Sequence, residues 1–269
     1  MAAKRTTLIA CAAIAIALLA GCAGTGGAPD PDVRQVLAPS GKLRVGVYRG
    51  SPTSIIGEPS APDARGVGFD LGRALAGKLG VPFEPVVFPN NAQLLAAVKA
   101  GSVDVCFTNA TDERARDMDF SPPALDIEKS YLVPPASPIA KIEDIDRPGA
   151  RIGISQGSST ERELTGEFKH AKLVPAASLK SGIEMLSKHA LDAFATNKAI
   201  LFEMSDDLPG SRVLDGRWGL EHLALAIPKG RDRGRAYVAQ FVADMQASGA
   251  LARSIGKVGL RGTVAPGTR

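Results

Sequence analysis

The chain has 269 residues, 45% hydrophobic and 22% charged, with a formal net charge of +4. That length suits one large or two small globular domains. The charge forms no block of one sign, so nothing supports a nucleic-acid partner. Three cysteines and three histidines, in no ligand-like spacing, point to neither a metal centre nor a disulfide framework, and no cofactor is expected.

In chain order, Lys4 and Arg5 precede the apolar run LIACAAIAIALLAGC. The run is short for a mature membrane span and has the layout of a secretory signal, here 1–21. Its end, Leu19-Ala20-Gly21-Cys22, resembles a bacterial lipobox, which implies cleavage before Cys22 and acylation of that residue. An ordinary cleaved signal with a coincidental cysteine is the plainer alternative. Losing Lys4 and Arg5, with no acid before Cys22, leaves +2 on the remainder. AGTGGAPDPD follows, and 22–41 is expected to be a flexible tether outside the fold. Cys106, inside VDVCF, is then the one cysteine of the body and is read as a small buried hydrophobe.

KLRVGVY, 42–48, alternates β-branched residues and predicts a strand. In GVGFDLGRALAGKLG, Leu71, Leu75, Ala76 and Leu79 recur at helical spacing and Gly80 ends the run. FEPVVFP is a second strand, NNAQLLAAVKAG a second helix and VDVCFT a third strand. SYLVPP is a short apolar run. RIGIS, KLVPA and LDAFAT are then expected as strands that alternate with helices at 159–168, in LKSGIEMLSKHA and in NKAILFEMSDD. HLALAIPKG is a return strand, with helices at 231–248 and 250–258. Two β-α-β-α-β runs predict two α/β lobes with mainly parallel sheets.

The order of motifs resembles one family. GVGFDLGRALAGKLG is similar to the G-[FY]-D-x-D-[LI] helix opening of periplasmic solute-binding proteins of family 3, the polar amino-acid binders of ABC importers. LLAAVKAGSVDV, TDERARDMDFSPP, IGISQGSST, LDAFATNKAI and LALAIPKG follow in the family's order, and the similarity spans about 42–258. The resemblance implies a type II, two-lobed Venus-flytrap. Lobe 1 would hold 42–130, completed by 226–262. Lobe 2 would hold 131–225, and 263–269 would be a tail. Crossovers are expected near Tyr131–Pro134 and Leu223–Ile227. The implied protein is a monomeric, membrane-anchored lipoprotein of the periplasm or outer envelope surface that delivers a small carboxylated polar solute to an ABC permease. It would not be an enzyme.

Carried over residue by residue, Arg114 takes the place of the guanidinium that clamps the ligand's carboxylate, a role its planar fork suits. The plainer reading is an ion pair with Glu113 or Asp117. Arg116 lacks the motif position and is read as a solvated charge. Thr111 is placed to cap the short helix that follows it, and Asn109 to contact the ligand. Ser158, Ser159 and Thr160 open a helix whose N-terminus favours an anion, with ordinary capping as the alternative. Asn197 stands where amino-acid binders carry an aspartate for the ligand's ammonium. An amide accepts from an ammonium without supplying charge, so either the amine is met elsewhere or the ligand has none. Tyr48 is expected to line the cleft, and Arg49 beside it either adds a cation or faces solvent. Asn91, with Asn90, stands where relatives place an aromatic, which favours a polar ligand. Two further readings remain: an enzyme on the same scaffold, similar to cyclohexadienyl dehydratases, using Glu161 or Glu128, and a ligand-sensing accessory protein.

Overall fold

In this computed structural model, residues 31–264 are described. The expected signal peptide and the acylated Cys22 lie outside them. The helices are α1 (Pro31–Leu37), α2 (Val67–Leu79), α3 (Asn91–Lys99), α4 (Ser159–Glu167), α5 (Leu179–Ser187), α6 (Lys198–Asp206), α7 (Asp232–Ala247) and α8 (Ala250–Val258). The strands are β1 (Leu43–Tyr48), β2 (Phe83–Phe88), β3 (Val105–Asn109), β4 (Met118–Phe120), β5 (Leu125–Val133), β6 (Arg151–Ser155), β7 (Lys172–Ala176), β8 (Ala193–Asn197), β9 (Arg212–Val213), β10 (Gly219–Pro228) and β11 (Thr263–Val264).

They join in one mixed sheet with the order β2-β1-β3-β10-β5-β8-β6-β7. Its two ends are alike. β1 lies parallel between β2 and β3, and β6 lies parallel between β7 and β8. Each end is a β-α-β-α-β unit whose middle strand comes first in sequence. In such sheets, ligands bind beyond the carboxyl ends of the strands, where the strand order reverses. Those ends carry Tyr48 (β1), Asn109 (β3), Ser155 (β6) and Asn197 (β8).

The two units meet through antiparallel β5 and β10. β5 pairs with β10 over Leu125–Lys129 and with β8 over Lys129–Leu132. β10 pairs with β3 from Leu223 to Ala226. The lobe boundaries expected after 130 and 225 therefore fall inside two continuous strands rather than in loops. SYLVPP, read only as a short apolar run, contains the end of β5.

Local sequence explains the elements that build the units. α2 buries Leu71, Leu75, Ala76 and Leu79, the stripe expected from its spacing, and ends at Gly80 in a left-handed turn with φ 67°. It lies close on β1 because Gly72 faces Val45. A Cβ there would meet Val45 Cγ1 at 2.4 Å. Asn90 caps α3 by accepting from the Gln93 N–H at 3.0 Å. One core contains Val45, Phe69, Leu75, Phe107 and Ile227. On the opposite faces of the second unit, Ile152, Ile154 and Ala195 form one cluster and Leu186, Phe194 and Leu201 another.

Two expectations at the ends need correcting. Residues 31–41 are not a tether: Pro31–Leu37 is helical, and Leu37 and Ala38 are buried. Leu37 packs on Gly234 of α7, and Asp32 pairs with Arg233. An amphipathic turn of seven residues, between a Pro-rich start and a Gly, carries too weak a periodicity to be seen without its partner helix. Nor is 263–264 a free tail, because Thr263 and Val264 pair with Ile127 and Asp126 of β5.

Candidate ligand-binding cleft

The ends of β1, β3, β6 and β8 face one another across β5 and β10. Between them lies a cavity of about 40 Å³. Six expected site residues line it: Tyr48, Asn91, Arg114, Ser158, Ser159 and Asn197. Asn109, Thr111 and Thr160 do not. Asn109 and Thr160 stand buried just behind, and Thr111 lines an outer groove with Glu113 and Arg162.

Arg114 is the centre of the arrangement. It sits in a three-residue 3-10 turn after β3 and is only 6% exposed. Its Nη1 donates to Thr108 Oγ1 at 2.9 Å and to the Asn109 carbonyl at 3.0 Å. Its Nε has no partner. The turn is held by Thr111, whose Oγ1 accepts from the Arg114 N–H at 3.3 Å. Neither proposed ion pair exists, since Glu113 pairs with Arg162 and Asp117 with Lys99. Arg116 is exposed. Burial pulls the pKa of Arg114 below its ordinary value, and the Glu221 carboxylate opposes that pull.

The N-terminus of α4 forms the facing wall. Ser158 Oγ caps the helix, accepting from the Glu161 N–H at 3.1 Å, and Glu161 accepts in return from the Gly157 N–H at 2.5 Å. Ser159 Oγ accepts from Asn109 Nδ2 at 3.1 Å, which leaves its own proton free to donate. Thr160 Oγ1 is buried without a partner. Asn91 Oδ1 is a further buried acceptor without a partner, on the cavity itself. Native buried polar atoms are seldom left so, and two of these, Arg114 Nε and Asn91 Oδ1, belong to residues that line the cavity.

Asn197 lines the cavity, with both ends of its amide engaged. Its Oδ1 caps α6 by accepting from the Ile200 N–H at 3.1 Å, and its Nδ2 donates to Glu221 Oε2 at 2.8 Å. A flipped amide would set oxygen against oxygen and N–H against N–H, so this network decides the orientation. The amide oxygen, the group able to accept from an ammonium, is therefore engaged in the helix cap.

Glu221 is the residue that the sequence reading missed. It lies on β10, is 8% exposed and lines the cavity. Burial raises its pKa, against the pull of the Asn197 hydrogen bond and of the Arg114 and Lys129 charges. Lys129 is its diagonal neighbour on the β5–β10 ribbon and lies across Gly219, but is paired with Glu163 and stacked 4.3 Å over Trp218. The signal was an acid in phase with Leu223, Leu225 and Ile227, all buried. The expected strand began at His222, one residue too late to show it.

Four contacts draw the walls together: the Asn109–Ser159 bond, Asn90 Nδ2 to the Ala177 carbonyl at 3.1 Å, the Arg162–Glu113 pair, and Arg65 to Glu203 at 2.9 Å. Arg49 turns outward to Glu58, although it still borders the cavity. Cys106 is buried, and burial pushes its thiol up to about 12, which makes it an inert packing residue. Among the described residues no group of three His, Cys, Asp or Glu is placed to hold a metal, and no helix is long and apolar enough to cross a membrane.

Residues 43–258 match the model of the bacterial extracellular solute-binding proteins, family 3. The chain belongs to this family. A relative of this solute-binding protein is the ABC transporter glutamine-binding protein of Bacillus subtilis, 22% identical over 230 residues, 81% of this chain and 83% of that one. Among solved structures, a solute receptor for L-cysteine of Neisseria gonorrhoeae superposes with a TM-score of 0.74 at 22% identity, covering 84% of this chain and 92% of that one. An ancestral amino acid-binding protein, a precursor of cyclohexadienyl dehydratase, superposes with a TM-score of 0.71 at 22% identity, covering 83% and 98%. The fold is that of the two-lobed type II binding proteins, and the family's place is outside the cytoplasm.

Proposed function

We propose that this solute-binding protein captures a small polar solute bearing a carboxylate, an amino acid or a derivative, in the interlobe cleft and delivers it to an ABC permease. One observation carries the reading: the buried guanidinium of Arg114, on the cavity wall, with Nε unpartnered. A buried cation with unspent donors is costly on its own and strongly favours an anion. The Ser159 hydroxyl and the α4 N-terminus, on the opposite lobe, add donors and a favourable dipole. A carboxylate held from both sides couples binding to closure. Named relatives bind amino acids such as glutamine, which agrees with this ligand class.

The catalytic alternative loses its two candidates. Glu128 pairs with Lys198 and Arg217, and Glu161 accepts from the Gly157 N–H. Neither lines the cavity. The protein acts as a monomer, held to the membrane by acylated Cys22. Cys22→Ser is expected to move the protein from the detergent phase to the aqueous phase of a cell-envelope extract. No change in partition would sink the anchor.

The ligand reading is tested by thermal shift and calorimetry with the twenty L-amino acids and a set of small carboxylic acids. A true ligand at 100 times its Kd adds about 2.7 kcal/mol, about 5–10 °C in Tm for a chain of this size. Arg114→Ala is expected to weaken binding at least about 100-fold, the scale of a buried charge-assisted pair. Failure of every compound to stabilise the protein, or an unchanged affinity in Arg114→Ala, overturns the reading.

A further inference from the structure

The same small cavity is bordered by the buried guanidinium of Arg114 and the buried carboxyl group of Glu221, which form no ion pair with each other. Among the described residues, no lysine, arginine or histidine lies at ion-pair distance from Glu221, and Arg114 forms no ion pair with any carboxylate. Glu221 has one partner, the neutral amide of Asn197, for a carboxylate that offers about four acceptor sites. Lys129, the nearest basic residue on the ribbon, is already held by Glu163. Asn91 Oδ1 adds a third unsatisfied group, an acceptor. Donors wanting an anion thus stand at Arg114, and acceptors wanting a cation with N–H groups stand at Glu221 and Asn91.

We infer that Glu221, from strand β10, receives the ligand's ammonium, and that the ligand is a small zwitterion rather than a simple carboxylic acid. The inference rests on the carboxylate role of Arg114 and adds the opposite pole. It resolves the deficit at Asn197. That residue's oxygen is occupied by the α6 cap, yet its Nδ2 holds the Glu221 carboxylate in place. The negative charge is supplied from the hinge ribbon, and position 197 serves as its positioning residue. A primary ammonium has three donors, enough for Glu221 and the Asn91 oxygen together. A ligand without the amine leaves the Glu221 charge buried beside it without compensation, which is how a polar site rejects an analogue lacking one group.

The experiment compares, in each protein, an L-amino acid with its α-hydroxy acid, choosing from the twenty the amino acid that wild type binds best. The ratio of the two Kd values within one protein is independent of how much of a sample is folded. Wild type is expected to prefer the amino acid by about 10- to 100-fold, the scale of a charge-assisted hydrogen bond. Glu221→Gln keeps the size and the contact with Asn197 and is expected to erase that preference, chiefly by weakening the amino acid. Glu221→Asp, which keeps the charge, is expected to recover part of it. Circular dichroism and Tm of both variants establish that they fold.

A wild-type preference that survives intact in Glu221→Gln overturns the inference. So does a wild type that binds carboxylic acids but none of the amino acids, an outcome that leaves the role of Arg114 standing. If Arg114→Ala binds as wild type does, the carboxylate reading fails, and the inference with it.

Discussion

At the scale of single residues, the cleft is built from side chains that serve two partners at once. Asn197 is the plainest case, capping α6 through its oxygen while its nitrogen steadies Glu221. Asn197→Ala is expected to cost about 1 kcal/mol through the cap alone, lowering Tm by about 2–4 °C, and to push the pKa of Glu221 further up by removing the bond that lowers it. An unchanged melting curve contradicts the cap. Arg114 was legible from its motif position, and Ser158 and Ser159 from theirs, because the turn chemistry that places them is local. Glu221 was not, because its importance depends on which strands flank it. Only the pairing of β10 with both β3 and β5 turns an acid at a strand's start into a cleft wall.

Among the elements, the α/β alternation was legible almost throughout, since helix periodicity, Asn and Ser caps and terminal glycines are all short-range signals. RIGIS and KLVPA became β6 and β7 with the expected ends. Besides β5, of which only the end was read, as an apolar run, what escaped were α1, β4, β9 and β11, none longer than seven residues. Such pieces hold their shape by docking, as Leu37 does on Gly234, and their own sequences show little period. The entry to β7 illustrates a different local device. Asp146 accepts from the N–H groups of Lys169, His170 and Ala171 at 2.9, 2.8 and 2.7 Å. Those bonds, Lys169 and Ala171 foremost, hold its pKa below the ordinary carboxylate value. A carboxylate so lowered stabilises the fold above the unfolded value, near about 4, and its contribution disappears as the pH falls through the lower, folded value. Hydrogen-exchange protection at Lys169–Ala171 is expected to drop as the pH falls below about 4 in wild type, and to be low already at pH 6 in Asp146→Ala. Equal protection in the two proteins at pH 6 excludes the device.

On the whole-molecule scale, closure rests on few contacts outside the cavity. The Arg162–Glu113 and Arg65–Glu203 pairs bridge the lobes at partly exposed positions, where an ion pair contributes about 0.2–1 kcal/mol. At the upper end that is about fivefold in the ratio of closed to open forms. Glu113→Lys sets a like charge against Arg162 and is expected to raise the radius of gyration in solution scattering and to weaken ligand binding a few-fold. Adding Arg162→Glu should restore both, and an unaltered radius and affinity in the single variant rule the latch out. The docked helix α1 has a further consequence for how the molecule hangs from a surface. With the anchor proposed at Cys22 and α1 seated on α7 from Pro31, only eight residues, 23–30, separate the two. Eight residues reach at most roughly 30 Å. Under that proposal the unit carrying α1 and α7 would be the stator, kept beside the membrane, and the unit carrying α4, α5 and α6 the rotor. A permease would then meet the same near edge at every cycle, while the outer lobe alone sweeps through solvent to take up its cargo.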